Sequence, residues 1–237
     1  PGAATTITAI SGSGQSAVVD ATFTTPLVAR VTDANANVVP GAMVAISAPH
    51  ASFVPAQIAT DASGLASFAA TAGTTATAYN ATASVAGVQT TFALTNTPGS
   101  AVAVAIAAGG EQQQIIGTAF PTVLDVIVRD SHGNAIPGAT VTFTPPSTGA
   151  TATIATPAAT GADGHTTALA TAGMVTGAYA VTATSGTGST QFQLTNLPGA
   201  AVSIVVILGD EQQAVVATEF ADFIEAEQVG KDVADRG

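Results

Sequence analysis

The chain has 237 residues, neither cysteine nor tryptophan, 8% charged residues and a formal net charge of −11. Arg30 and Arg129 are the only Lys or Arg before the last seven residues, so a basic phosphate-binding face is missing, which argues against nucleic acid and anionic membrane surfaces as partners. The longest apolar run, Ala200 to Leu208 broken by Ser203, is far short of the roughly 20 residues a bilayer-spanning helix needs.

In chain order the apolar pattern has a period of two, the signature of half-buried strands. "TTITAI" opens the series. In "PLVARVTD" the side chains of Leu27, Ala29 and Val31 share one face, and Arg30 lies on the other. "MVAIS", "LASFAATA", "YNATASV" and "TTFALTN" follow, separated by turns rich in Gly, Pro, Asn and Asp. The same order then returns: "AVAVAIA", a strand with Leu124, Val126 and Val128 facing inward and Arg129 outward, "TVTFT", "TTALATA", "YAVTATS" and "TQFQLTN". No segment of residues 1–218 has a helical period. About seven short strands per copy predict an all-β fold of tandem immunoglobulin-like β-sandwiches in a head-to-tail rod.

The return is a true internal repeat. Pro1-Gly2, Pro98-Gly99 and Pro198-Gly199 open three copies. Gln15, Gln112 and Gln212 precede Phe23, Phe120 and Phe220 by eight residues each. Asp33 and Asp130, Asn37 and Asn134, Tyr79 and Tyr179, and Phe92 and Phe192 keep the register. The copies divide the chain into residues 1–97, residues 98–197 and an incomplete third repeat, residues 198–237. Tyr79 and Tyr179 each start a strand where a tyrosine corner places a buried ring with a bonded hydroxyl. A buried tyrosine of no special role fits the same position.

The combined pattern "GQSAVV…F…PLVARVTD…N.VPGA.V…AP…TDASGLAS…TAG…Y..TASV.GV…F.LTNTPG" resembles the bacterial immunoglobulin-like domain, group 1, found in tandem in invasin- and intimin-type adhesins and large bacterial surface proteins. The resemblance covers both complete repeats and the start of the third. It implies a β-sandwich rod on the bacterial cell surface, a stalk anchored in the outer membrane through a part outside this chain. Two departures stand out: "DANAN" lacks the glycine of the "D..GN" turn in the second copy, and no lectin-like or other receptor-binding domain is in view.

The joints between repeats are read at Pro98, Gly99, Pro198 and Gly199. Proline fixes φ and restrains the residue before it, so the joint differs from a floppy Gly/Ser linker and predicts a semi-rigid stalk. No catalytic constellation is found. His50, His132 and His165 fall in or beside turns, and none recurs in the other copy. Asp33, Asn35 and Asn37 imitate the start of a calcium loop but lack its later glycine and distant glutamate. Asx residues in a turn more commonly bond their own backbone. The expectation is therefore a non-enzymatic structural protein without cofactor or metal. Its partners would be protein: neighbouring repeats, further copies, or a surface receptor.

The third copy keeps the pattern to Phe220 and then departs into "ADFIEAEQVGKDVADRG". Phe220, Phe223 and Ile224 have helical spacing, so a short amphipathic helix, a frayed end and foreign sequence are all open readings. "AVSIVVIL" is a strong strand with no complete sandwich to enter. Val202, Ile204 and Val206 are thus a candidate assembly strand, and a filament subunit polymerising by strand donation from residues 200–220 is an alternative to the stalk. A receptor- or glycan-binding module is another.

Overall fold

A computed structural model of the chain describes residues 1–201, 203–208 and 225–229. These residues divide into two compact units. The first takes Pro1–Ser100 and the turn Asp130–Ala135; the second takes Ala101–Arg129 and the described part of Ile136–Gly237.

The first unit holds ten strands: β1 (Thr6–Ser11), β2 (Gln15–Val18), β3 (Leu27–Thr32), β4 (Met43–Ser47), β5 (Ala51–Phe53), β6 (Gln57–Ala59), β7 (Leu65–Phe68), β8 (Ala70–Ala72), β9 (Ala78–Val85) and β10 (Val88–Thr97). One sheet has the order β1-β3-β7, and the other β2-β10-β9-β4-β6. β5 pairs with β8, which continues β7 after a one-residue break at Ala69. β2 runs parallel to β10, while β9 and β10 form an antiparallel pair from Val85↔Val88 to Ala78↔Thr95. Alternation along the strands gives each sheet one apolar face. Leu27, Ala29, Val31 and Phe68 of the first sheet join Val44, Ile46, Ala81, Ala83, Phe92 and Leu94 of the second in one buried core. The predicted inner row of β3 is therefore fully buried, and Arg30 is exposed.

The second unit repeats this with β11 (Ala103–Ala108), β12 (Glu111–Ile115), β13 (Leu124–Arg129), β14 (Thr142–Thr144), β15 (Ala152–Ile154), β16 (His165–Ala168), β17 (Ala170–Ala172), β18 (Gly177–Ser185) and β19 (Gly188–Leu197). The sheet orders are β11-β13-β16 and β12-β19-β18-β14, with β15 on β17. Leu124, Val126 and Val128 face Phe143, Val181, Phe192 and Leu194 in the second core. No counterpart of β6 forms in the second unit, where Pro157 stands in place of Gln57.

β20 (Ser203–Leu208) pairs antiparallel with β21 (Glu225–Val229). Ser203↔Val229 reproduces Ala103↔Arg129, and a register shift falls at Val206/Leu208 as it does at Ile106/Ala108 and Ala9/Ser11. The third copy thus repeats the opening pair of a sandwich. This corrects the helical reading of the tail for residues 225–229. Helix propensity is a small term even for alanine and glutamate, and pairing with a strand partner overrides it. Phe220, Phe223 and Ile224 lie outside the described residues. The apolar strand of the third copy is not an orphan either, since one of its edges is occupied within the chain. Among the described residues no helix is long and apolar enough to cross a membrane.

Candidate functional site: the carboxylate-tied Pro-Gly segments

Gln15, Asp33, Asn37, Thr60, Tyr79, Asn96 and their counterparts in the second copy are spent on hydrogen bonds within the chain. The Pro-Gly segments come first. The Gly2 N–H donates to Asp33 Oδ2 at 2.7 Å, and the Gly99 N–H donates to Asp130 Oδ2 at 2.9 Å. Each carboxylate also closes its own turn. Asp33 Oδ1 accepts the N–H groups of Asn35 and Asn37 at 2.9 and 3.0 Å, and Asp130 Oδ1 accepts those of His132 and Asn134 at 2.9 Å each. The amide nitrogens of Asn37 and Asn134 add side-chain bonds. Both aspartates are buried. The Gly2 N–H and the Asn37 amide, against the cost of burial, lower the Asp33 pKa to about 2. Burial works against the charge on Asp130, but its bonds from Asn134, Gly99 and His132 outweigh it and the pKa falls too. The carboxylate oxygens that suggested a calcium loop are turned onto N–H donors.

Pro98 and Gly99 are half-buried directly after β10. Neither Gly2 nor Gly99 has positive φ, and a Cβ on either would meet the aspartate at ordinary contact distance. Glycine is not demanded by backbone conformation there; the N–H is. Pro198 is exposed and Gly199 half-buried after β19. In sequence, Gly230 follows β21 where Asp130 follows β13, so the third copy lacks this carboxylate at that position. Of the candidate assembly strand, Ile204 and Val206 belong to β20, and Val202 lies outside the described residues.

Three further recurring residues act alike. The Gln15 side chain donates to the carbonyls of Gly12 and Thr25 at 2.7 Å each and accepts the Thr25 N–H at 3.0 Å. Gln112 does the same for Gly109 and Thr122. The Thr60 hydroxyl donates to Val39 O at 2.6 Å and accepts the Ala42 N–H; Thr160 repeats this with Ile136 and Ala139. The asparagine of each "LTN" is a hub. Asn96 Oδ1 accepts the Tyr79 hydroxyl at 2.9 Å, and its Nδ2 donates to the carbonyls of His50 and Thr75. Asn196 takes the Tyr179 hydroxyl at 3.0 Å and donates to Thr151 and Val175. The tyrosines therefore bond a side chain, not the backbone of a tyrosine corner. Burial pushes the Tyr179 pKa up to about 12, and that of Tyr79 is also raised by burial, against its bond to Asn96. The roles of Asn96 and Thr60 escape a reading of the sequence alone. Their recurrence is the signal, but partners 17 to 46 residues away are not visible in a local pattern.

Two of the three histidines each face a single carboxylate. His165 Nδ1 lies 3.1 Å from Asp125 Oδ1 across β13 and β16, and His132 Nε2 lies 2.6 Å from Asp20 Oδ2. Among the described residues no cluster of three or more metal-ligating side chains occurs. An open surface cavity of about 360 Å³ is lined by Glu111, Gln112, Gln113, Gln193 and Thr195 along β12 and β19. Gln112 in it is already bonded to the backbone.

The chain is an all-β protein built of immunoglobulin-like β-sandwiches. Among solved structures it is similar to the Escherichia coli adhesin FdeC, at 22% identity over 80% of this chain and 64% of that one, with a TM-score of 0.59. It is also similar to Yersinia pseudotuberculosis InvD, at 21% identity over 90% of this chain and 66% of that one, with a TM-score of 0.60. The likeness spans a little under two thirds of either chain. No family model and no curated protein matches the sequence.

Proposed function

We propose that this chain is a structural, non-enzymatic stalk segment of a bacterial surface adhesin or fibre, with Pro98-Gly99 and Pro198-Gly199 serving as joints between successive sandwiches. One observation carries the reading. Every polar side chain kept in register between the two complete copies and followed above — Gln15, Asp33, Asn37, Thr60, Tyr79, Asn96 and their counterparts — is occupied by hydrogen bonds that hold the chain's own fold. Repetition here preserves architecture and assembles no reacting groups. Similarity in fold to FdeC, an adhesin by its description, supports the same reading, that of a segment outside the cell. Anchoring in the outer membrane through another part of the protein belongs to this proposal as well.

The test is the solution mass of the chain across a wide concentration range, with binding to host-cell surfaces measured on the same material. A stalk segment stays monomeric and binds cells without saturation. Concentration-dependent assembly abolished by changes in residues 200–220 overturns the stalk in favour of a polymerising subunit. Saturable binding overturns it in favour of a receptor or glycan module.

A further inference from the structure

One contact in the first unit has no equivalent in the second. Asp20 occupies left-handed backbone, with φ of 64°. That region is uncommon for side chains other than glycine, though Asp tolerates it better than most. The second unit has Gly117 at this place, with φ of 73°. A carboxylate at a glycine-like position carries some backbone strain, and strain of this kind points to a role for the side chain. The Asp20 carboxylate reaches the turn Asp130–Ala135, where it lies 2.6 Å from His132 Nε2. Asn134 fixes the same turn at two more points: its Oδ1 accepts the Ala76 N–H at 2.9 Å, and its Nδ2 donates to Thr74 O at 2.8 Å. Neither Asn134 bond involves a titratable group. The groups facing His132 are Asp20 and, within its own turn, Asp130, which accepts its backbone N–H; Arg129 immediately precedes the turn. In the first copy's turn the position of His132 holds Asn35.

We propose that Asp20 and His132 form a proton-operated clip that tightens the seating of the Asp130–Ala135 turn on the first unit in mildly acidic surroundings. With His132 protonated the contact is a charge-assisted hydrogen bond between two ions; with His132 neutral it is an ordinary one. Free histidine changes charge near about pH 6.5. A contact that favours the protonated form strengthens as pH falls through that range and fails once the carboxylate itself takes a proton. Both side chains are well exposed, at 30% and 59%. The expected gain is therefore modest, about two- to fivefold in the opening equilibrium of the turn.

The test is amide hydrogen exchange of Ala76, whose acceptor is Asn134, in the full chain at about pH 5 and about pH 8, a span that brackets histidine titration. Rates are corrected for intrinsic exchange. The wild type should be about two- to fivefold better protected at the acidic pH. D20N, which keeps a hydrogen-bonding side chain without the charge, should show equal protection at both. D20G carries the second unit's own residue and so should fold; it should be equally insensitive and less protected throughout. A flat response in the wild type, an undiminished response in D20N, or unchanged protection in D20G would each overturn the clip.

Discussion

The two units share one backbone plan and fill it differently. In the first, Phe68 of β7 sits opposite Leu27, and Ile46 of β4 pairs with Ala83. In the second, the matching places hold Ala168, opposite Leu124, and Phe143, paired with Ala183. The large ring has moved from one sheet to the other across the core, and Phe143 now lies 5.9 Å from Phe192 between ring centroids. All four residues are buried. A core constrains total volume and pattern more tightly than the identity at each site, and the exchange leaves both intact. The polar pins show the opposite rule. Gln15, Asp33, Thr60 and Asn96 recur unchanged as Gln112, Asp130, Thr160 and Asn196, because each satisfies particular backbone groups that no other geometry would reach.

The largest effect should come from breaking the exchange on one side only. Phe68→Ala puts the second unit's small residue into the first unit without its compensating ring. It should cost about 3–5 kcal/mol, read by urea unfolding with hydrogen exchange to assign the transition to the first unit. Adding Ile46→Phe should recover about 1–2 kcal/mol, as coupled core positions do. Strict additivity of the two changes would show that the two cores are independent solutions and not a swap.

Next in size are the asparagine hubs. Asn196→Ala strands the Tyr179 hydroxyl and two carbonyls and should cost about 3 kcal/mol. Asn96→Ala should cost less, because Tyr79 is only half-buried and water can reach its hydroxyl. Equal losses would overturn the role assigned to burial. The same contrast appears in alkali. Burial favours the neutral phenol, so Tyr179 contributes stability below the ordinary tyrosine range near about 10 and loses it as pH rises towards about 12. Ultraviolet titration should show two phenolate transitions, both above the free value.

The acid limb separates the turns from the cores. The Asp33 pKa is lowered to about 2 in the fold, against about 3.9 when unfolded. Its contribution is present at neutral pH and is lost as pH falls from about 4 towards 2. Asp33→Asn should flatten the acid dependence of the first unit's stability over that window. Asp130, whose pKa is lowered in the same way, contributes to the slope that remains, and Asp130→Asn should reduce it further.

Much of this architecture is legible in the chain. Period-two alternation places Leu27, Val31, Leu124 and Val128 in the cores, because a strand shows its two faces in strict turn. Recurrence marks the Pro-Gly segments and the Tyr and Asn positions. What recurrence does not supply is a partner. Asn96 bonds a carbonyl 46 residues away, and that distance is set by sheet topology, not by local pattern. The tail is the converse case. Its Ala- and Glu-rich composition argues helix locally, while the register of β20 draws Glu225–Val229 into a strand. Asp20 is illegible for a further reason: a left-handed backbone leaves no mark on an aspartate, and only the alignment with Gly117 exposes it.

The smallest effect tests why glycine follows proline in these segments. Gly99 has ordinary backbone, and a Cβ there would lie 3.6 Å from Asp130 Oδ2 and 3.7 Å from the Val19 side chain, which is plain van der Waals contact. Gly99→Ala keeps the N–H that Asp130 needs and removes conformational freedom from the unfolded chain. It should be neutral or stabilising by up to about 0.5 kcal/mol in urea unfolding. Gly99→Pro deletes the same N–H and leaves Asp130 Oδ2 with only the Asn134 amide. It should cost more than 1 kcal/mol and raise the Asp130 pKa towards the ordinary carboxylate range, visible as a side-chain chemical-shift titration moved to higher pH. If alanine proves as damaging as proline, the segment depends on glycine's freedom and not on its donor, and the carboxylate tie ceases to be the reason that Pro-Gly opens the two complete copies.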